Sequence, residues 1–153
     1  MSDAKILDFN KKRQENIEDK KRNLERVMFN DFLGSYSVLD DYGSHYPIKM
    51  VNVSKTGCMF QVPWNKNNSK EFEDGKEMTL RIYFTESSYI PAVVTIRHGH
   101  EFVDSRGDVY MRYGCEFDTG VPSYNANENF VGFIYSFAEH SCLDKGDSKV
   151  YFL

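Results

Sequence analysis

After Val27 the apolar residues stop recurring every three to four positions and begin to alternate, a pattern that persists for about ninety residues. In the clearest run, Met78, Leu80, Ile82 and Phe84 alternate with Thr79, Arg81 and Tyr83. Strands patterned this way bury one face each, so they must close on one another as an antiparallel barrel or sandwich. Further runs are Met28–Leu39, Pro47–Ser54, Gly57–Pro63, Tyr89–His98 and Asp108–Phe117. They are separated by turn-forming residues at Asp41-Tyr42-Gly43-Ser44, Asn65–Ser69, Asp74-Gly75 and Asp104-Ser105-Arg106-Gly107. About six strands are expected.

Residues 3–27 behave differently. They hold no Gly or Pro, are rich in Lys, Glu, Arg, Asn and Asp, and bring Ile6, Phe9, Ile17 and Leu24 near one helical face, interrupted by Arg13. A polar helix with a thin apolar stripe is expected, marginal on its own. The last regular element starts near Asn125, where an Asn three residues before Glu128 resembles a capping box, and carries Phe130, Val131, Phe133, Ile134, Phe137 and Ala138. This helix is expected to cover the β core. Residues 141–153 end in Tyr151-Phe152-Leu153 and read as a loose tail or a short segment docked by its aromatics. The expected architecture is mainly β: a six-stranded antiparallel β-barrel over residues 21–140, an N-terminal helix over 1–20, a C-terminal helix and a tail from 141.

At 153 residues the chain suffices for one domain with a core and not for two. Nineteen Lys and Arg against 23 Asp and Glu give a net charge of −4, which disfavours a grip on long nucleic acid or an anionic membrane. Residues 1–27, however, carry eight basic and six acidic side chains, leaving the remainder at −6. Any phosphate site must therefore be local. No stretch approaches the roughly 18 apolar residues that cross a bilayer, and Asp3, Asp8 and Lys11-Lys12-Arg13 stand where a signal peptide would be apolar. A cytoplasmic location is expected. Cys58, Cys115 and Cys142 fit neither a disulfide framework nor a metal knuckle, so reduced thiols are expected, the first two as core residues.

Two short features carry chemistry. Arg22 and Arg26 place two guanidinium groups four residues apart where the polar helix gives way to the barrel. Their planar forks match phosphate oxygens bidentately and stack on a purine. In the turn after the second strand, Asn52 offers an amide, Ser54 a hydroxyl and Gly57 a backbone that tolerates positive φ and close approach. Read alone, the arginines are equally a solvated helix face among neighbouring acids, and residues 52–57 an ordinary β-turn whose Asn and Ser bond their own backbone. His98-Gly99-His100-Glu101 lacks companions at a metal-binding spacing, and His45 and His140 are isolated. No catalytic triad, nucleophile elbow, phosphate loop or paired-carboxylate spacing occurs, so no enzyme, metal or cofactor is expected.

RxxxR at Arg22–Arg26 and NxSxxG at Asn52–Gly57, in this order on a six-strand pattern closed by a helix, resemble the PilZ domain family of bacterial cyclic di-GMP receptors. The resemblance covers about residues 20–140, with Tyr113-Gly114-Cys115-Glu116-Phe117 looking like the family's late strand. It implies that Arg22 and Arg26, in a lead-in loop, wrap the ligand's phosphates and stack with guanine, while Asn52, Ser54 and Gly57 contact it from the barrel. Lys21 falls where the family tunes the number of ligands bound. Asn52 stands where Asp is commoner, exchanging a formal charge on guanine's N–H edge for a neutral acceptor. The expected function is a cyclic di-GMP receptor that changes conformation and signals to a protein partner, re-aiming residues 1–20. Alternatives are a PilZ-like interaction module without nucleotide binding, with the N-terminal helix pairing two subunits; a single-stranded nucleic-acid binder; and a flavin-dependent barrel.

Overall fold

The computed structural model describes residues 2–26, 37–67, 70–142 and 146. The element order is helix α1 (Ser2–Arg26), strands β1 (Ser37–Asp41), β2 (Ser44–Val53), β3 (Gly57–Pro63), β4 (Glu77–Tyr83), β5 (Tyr89–Val103) and β6 (Val109–Phe117), and helix α2 (Tyr124–His140). All pairings are antiparallel, and the strands close into a barrel in the order β1-β2-β3-β6-β5-β4. The six-stranded barrel flanked by two helices is thus the fold the alternation dictates. Of the run Met28–Leu39, only Ser37 onward is a described strand; residues 27–36 lie outside the described residues, as do 143–145 and 147–153 with the Tyr151-Phe152-Leu153 end.

Inward-facing residues of every strand fill the interior. Leu39, Phe60, Leu80, Val94, Ile96 and Tyr113 are fully buried, and α2 adds Val131 and Ile134 to the same core. Phe72, in the β3–β4 connection, caps one end: its ring packs on Tyr46 and Tyr113, and its N–H donates to the Tyr113 hydroxyl at 3.1 Å. Trp64 packs against this core as well. Cys58 and Cys115 face each other across β3 and β6 as free thiols, and their mutual hydrogen bond, together with burial, pushes the Cys58 thiol well up.

The helices depart from expectation at their ends. Asn125 lies inside α2, which starts at Tyr124; Ser123 precedes it without a side-chain cap, so no capping box forms. Instead the Tyr124 hydroxyl donates to the Lys55 carbonyl at 2.7 Å, tying α2 to the β2–β3 turn. On α1 only the C-terminal half of the apolar stripe is covered: Ile17 and Leu24 are half-buried, whereas Ile6 and Phe9 are exposed. Arg13 pairs with Glu139 at 2.9 Å and Lys20 donates to the Ser141 carbonyl at 3.0 Å, so α1 and α2 run side by side. Neither described helix is long and apolar enough to cross a membrane.

Candidate functional site

Two β-bulges shape the barrel's outer face. On β2, Ile48 and Met50 point inward, and strict alternation would send Asn52 after them. The register slips between Met50 and Asn52, so Val53 takes the inward place and the Asn52 amide faces solvent. On β5, Ala92, Val94 and Ile96 point inward, and a slip between Ile96 and His98 leaves Arg97 and His98 both exposed. Beyond it, His98 stands opposite Gly114 and Phe102 opposite Tyr110. The His98 ring lies directly over Gly114, where any Cβ would overlap it.

The bulges flank a cleft of about 380 Å³ lined by Asn52, Ser54, Gly57, Arg97, His98 and Gly114. Beside it, a second cleft of about 340 Å³ is lined by Arg22, Arg26, Lys49, Gln61, Phe102 and Arg112. Met59 pairs with Gly114 in the first, and Gln61 with Arg112 in the second. The two are one cross-strand step apart, about 7 Å along the strand.

The arginines are on a helix, not in a loop. Arg22 and Arg26 occupy one face of the last turns of α1. Arg22 is 71% exposed and 3.4 Å from Asp19, a weak surface pair. Lys21 points elsewhere: nearly buried, it lies 3.3 Å from Glu25 and over the Tyr135 ring of α2 at 4.6 Å. Burial works against its charge, but the hydrogen bond to Tyr135 and the Glu25 carboxylate outweigh it and hold the ammonium above its ordinary pKa. Glu25 in turn accepts the Val53 N–H at 3.4 Å, which fixes the end of α1 against the residue following Asn52.

Within the turn the three barrel residues differ. The Asn52 side-chain amide has no hydrogen-bond partner among the described residues. Ser54 closes the turn: its hydroxyl accepts the Gly57 N–H at 3.3 Å and donates to the Gly57 carbonyl at 3.2 Å. Gly57 does not have a positive φ; it is required because a Cβ there would overlap the Cys115 carbonyl of β6. Backbone cannot yield as a flexible side chain does, so Gly57→Ala is expected to destabilise the fold by about 2 kcal/mol. A urea melt measures this, and an unchanged midpoint would contradict it.

Arg97, His98, Lys49, Gln61, Phe102 and Arg112 were not legible as site residues, because only strand register and the bulges bring them alongside the two motifs. Arg97 is 2.9 Å from Glu116, both exposed. His98 and His100 stack at 6.3 Å, and no metal-binding group of His, Cys, Asp and Glu occurs among the described residues.

The chain is thus a small closed barrel with a packed interior that carries these polar groups on an outer sheet face beneath the end of α1. The PilZ domain pattern matches residues 20–135, and the chain belongs to the PilZ domain family, whose members are non-catalytic receptor modules. Among solved structures, K. pneumonia MrkH in its apo state is similar at a TM-score of 0.53 and 14% identity, over 69% of this chain and 49% of that one. The PilZ domain of Escherichia coli YcgR with c-di-GMP is similar at a TM-score of 0.48 and 10% identity, over 66% of this chain and 82% of that one. The chain spans about half the length of the MrkH chains it matches. No curated protein matches its sequence.

Proposed function

We propose that this protein is a cyclic di-GMP receptor that binds the nucleotide on the outer face of β2, β3, β6 and β5, with Arg22 and Arg26 closing from α1. The observation that carries this reading is that the two guanidiniums share a cleft with β2, β3 and β6 one step from the cleft edged by Asn52 and Ser54. In this reading the arginines bind phosphate and stack on guanine, and the Asn52 amide reads a guanine edge. Ser54 and Gly57 hold the turn in shape. Lys21 acts from behind, through Glu25.

The magnitudes are consistent. A micromolar complex needs about 8 kcal/mol. Charge-assisted hydrogen bonds contribute roughly 1.5–3 kcal/mol each and base stacking about 1–3 kcal/mol per base, so two arginines, two bases and the turn reach that range before ordering is subtracted. Because Glu25 ties α1 to Val53 and Tyr124 ties α2 to Lys55, ligand drawn against Arg22 and Arg26 shifts the docking of both helices, which is the change a protein partner reads.

Titration calorimetry with cyclic di-GMP, using GTP and cyclic AMP as controls, tests the proposal. Micromolar binding of cyclic di-GMP alone is expected, with altered hydrogen exchange around residues 15–26. A protein silent to all three nucleotides would instead be an interaction module. The exposed Phe133 and Phe137 on α2 favour that second reading.

A further inference from the structure

The cleft beneath α1 is unusual in how its charges are committed. Both of its acids are engaged: Glu25 by Lys21 and the Val53 N–H, and Asp104 by its own loop, its Oδ1 accepting the N–H groups of Arg106 and Asp108 at 2.9 Å each. Its cations are less committed: Arg22 has only the exposed 3.4 Å pair to Asp19. Among the described residues neither Lys49 nor Arg112 has a carboxylate at ion-pair distance. In a chain of net charge −4 this leaves a local excess of positive charge on an acidic barrel.

Arg112 is also held in place. Its guanidinium lies 3.4 Å from the centre of the Phe102 ring, and its Nε–H donates at 3.1 Å to Oε1 of the buried Gln61. Stacking fixes the plane and Gln61 fixes the rotation, so that among the described residues both Nη groups are left for a bidentate acceptor in a known orientation. A long cation fixed in advance loses little conformational freedom on binding. Phe102 reaches this position only because the β5 bulge at Arg97 resets the strand's alternation.

We propose that Arg112, seated on Phe102 and braced by Gln61, is a third guanidinium of the ligand site and forms with Lys49 a phosphate seat that exists in the barrel before Arg22 and Arg26 engage. The identity of the ligand rests on the cyclic di-GMP reading; the seat itself is a property of the barrel. It receives one phosphate of the dinucleotide, while the neighbouring cleft at Asn52 receives a base.

Two probes separate the seat from the nucleotide reading. In calorimetry with cyclic di-GMP, Arg112→Ala is expected to weaken binding at least about tenfold, and Arg112→Lys, which keeps the charge but not the planar fork, to recover only part of it. Phe102→Leu, which removes the stacking platform, is expected to weaken binding severalfold with the charge intact. In nuclear magnetic resonance, inorganic pyrophosphate is expected to shift the Arg112 Nε–H signal in the wild type and equally in an Arg22→Ala/Arg26→Ala variant. A pyrophosphate response without any nucleotide binding would uphold the seat and overturn the cyclic di-GMP reading. Wild-type affinity for cyclic di-GMP in Arg112→Ala, or an Arg112 signal unmoved by pyrophosphate, would overturn the seat.

Discussion

Alanine at both Arg22 and Arg26 is expected to lower affinity for cyclic di-GMP by about 100-fold while leaving the melting temperature almost unchanged. Each guanidinium supplies charge-assisted hydrogen bonds of roughly 1.5–3 kcal/mol, and each tenfold in affinity corresponds to about 1.4 kcal/mol. Removing one such hydrogen bond per arginine gives the two decades. The fold is indifferent to the change because Arg22 is 71% exposed with only a surface pair to Asp19, and Arg26 lines the rim of a cleft. The two share one helix face and one ligand, so the single variants are not expected to add; the first removed loosens the grip of the second. Calorimetry and a thermal melt on the same preparations measure both halves. Full affinity in the double variant would remove the arginines from the site, and a lost fold would show them to be structural.

The barrel is legible because a period of two leaves few alternatives: the alternation marks β3 with the bounds it has, and β4 and β6 to within a residue. What escapes are the features that break the period. The alternation that starts at Tyr89 gives out at His98, whereas β5 continues to Val103, because the bulge at Arg97 reverses which residues face inward and the pattern resumes out of phase. The same device on β2 turns Asn52 outward, and nothing in the letters around it announces a slip. Phe72 belongs to the core although it lies in a connection, placed by its packing on Tyr46 and Tyr113 rather than by any local pattern. The candidate site divides along the same line. The motif residues carry local spacing that a sequence displays, whereas Arg112, Phe102 and Gln61 are neighbours only through pairings between β3, β6 and β5. For Gly57 the letter is legible and the reason is not: the constraint is the Cys115 carbonyl of another strand rather than its own dihedral angle.

Glu25→Ala is expected to cost on the order of 3 kcal/mol, about 6–12 °C in melting temperature. The loss is large because Glu25 and Lys21 are both nearly buried, with side chains 3% and 11% exposed, and removing the carboxylate strands an ammonium between α1 and α2. It also leaves the Val53 N–H without this acceptor and frees the end of α1 from β2. Faster hydrogen exchange at residues 17–26 should accompany the fall, whereas a fall without it would place the damage elsewhere. Glu25→Gln keeps an acceptor for Val53 and exposes the role of charge. Burial raises the Glu25 pKa above its ordinary value, and the nearby Lys21 ammonium and the Val53 N–H offset this only in part. The folded protein therefore keeps this proton to higher pH than the unfolded chain does. The associated stability is greatest below the unfolded value of about 4.3 and declines as pH rises through the folded one. Glutamine has no such decline, so the stability of the wild type relative to Glu25→Gln is expected to fall from pH 4 to pH 7 in urea melts. Wild-type stability that instead rises relative to Glu25→Gln over that range would mean that the attraction of Lys21 outweighs burial. The Lys21–Glu25 pair within α1 would then keep the carboxylate charged as acceptor for the Val53 N–H, and ligand-driven release of the helix would have to break that hydrogen bond.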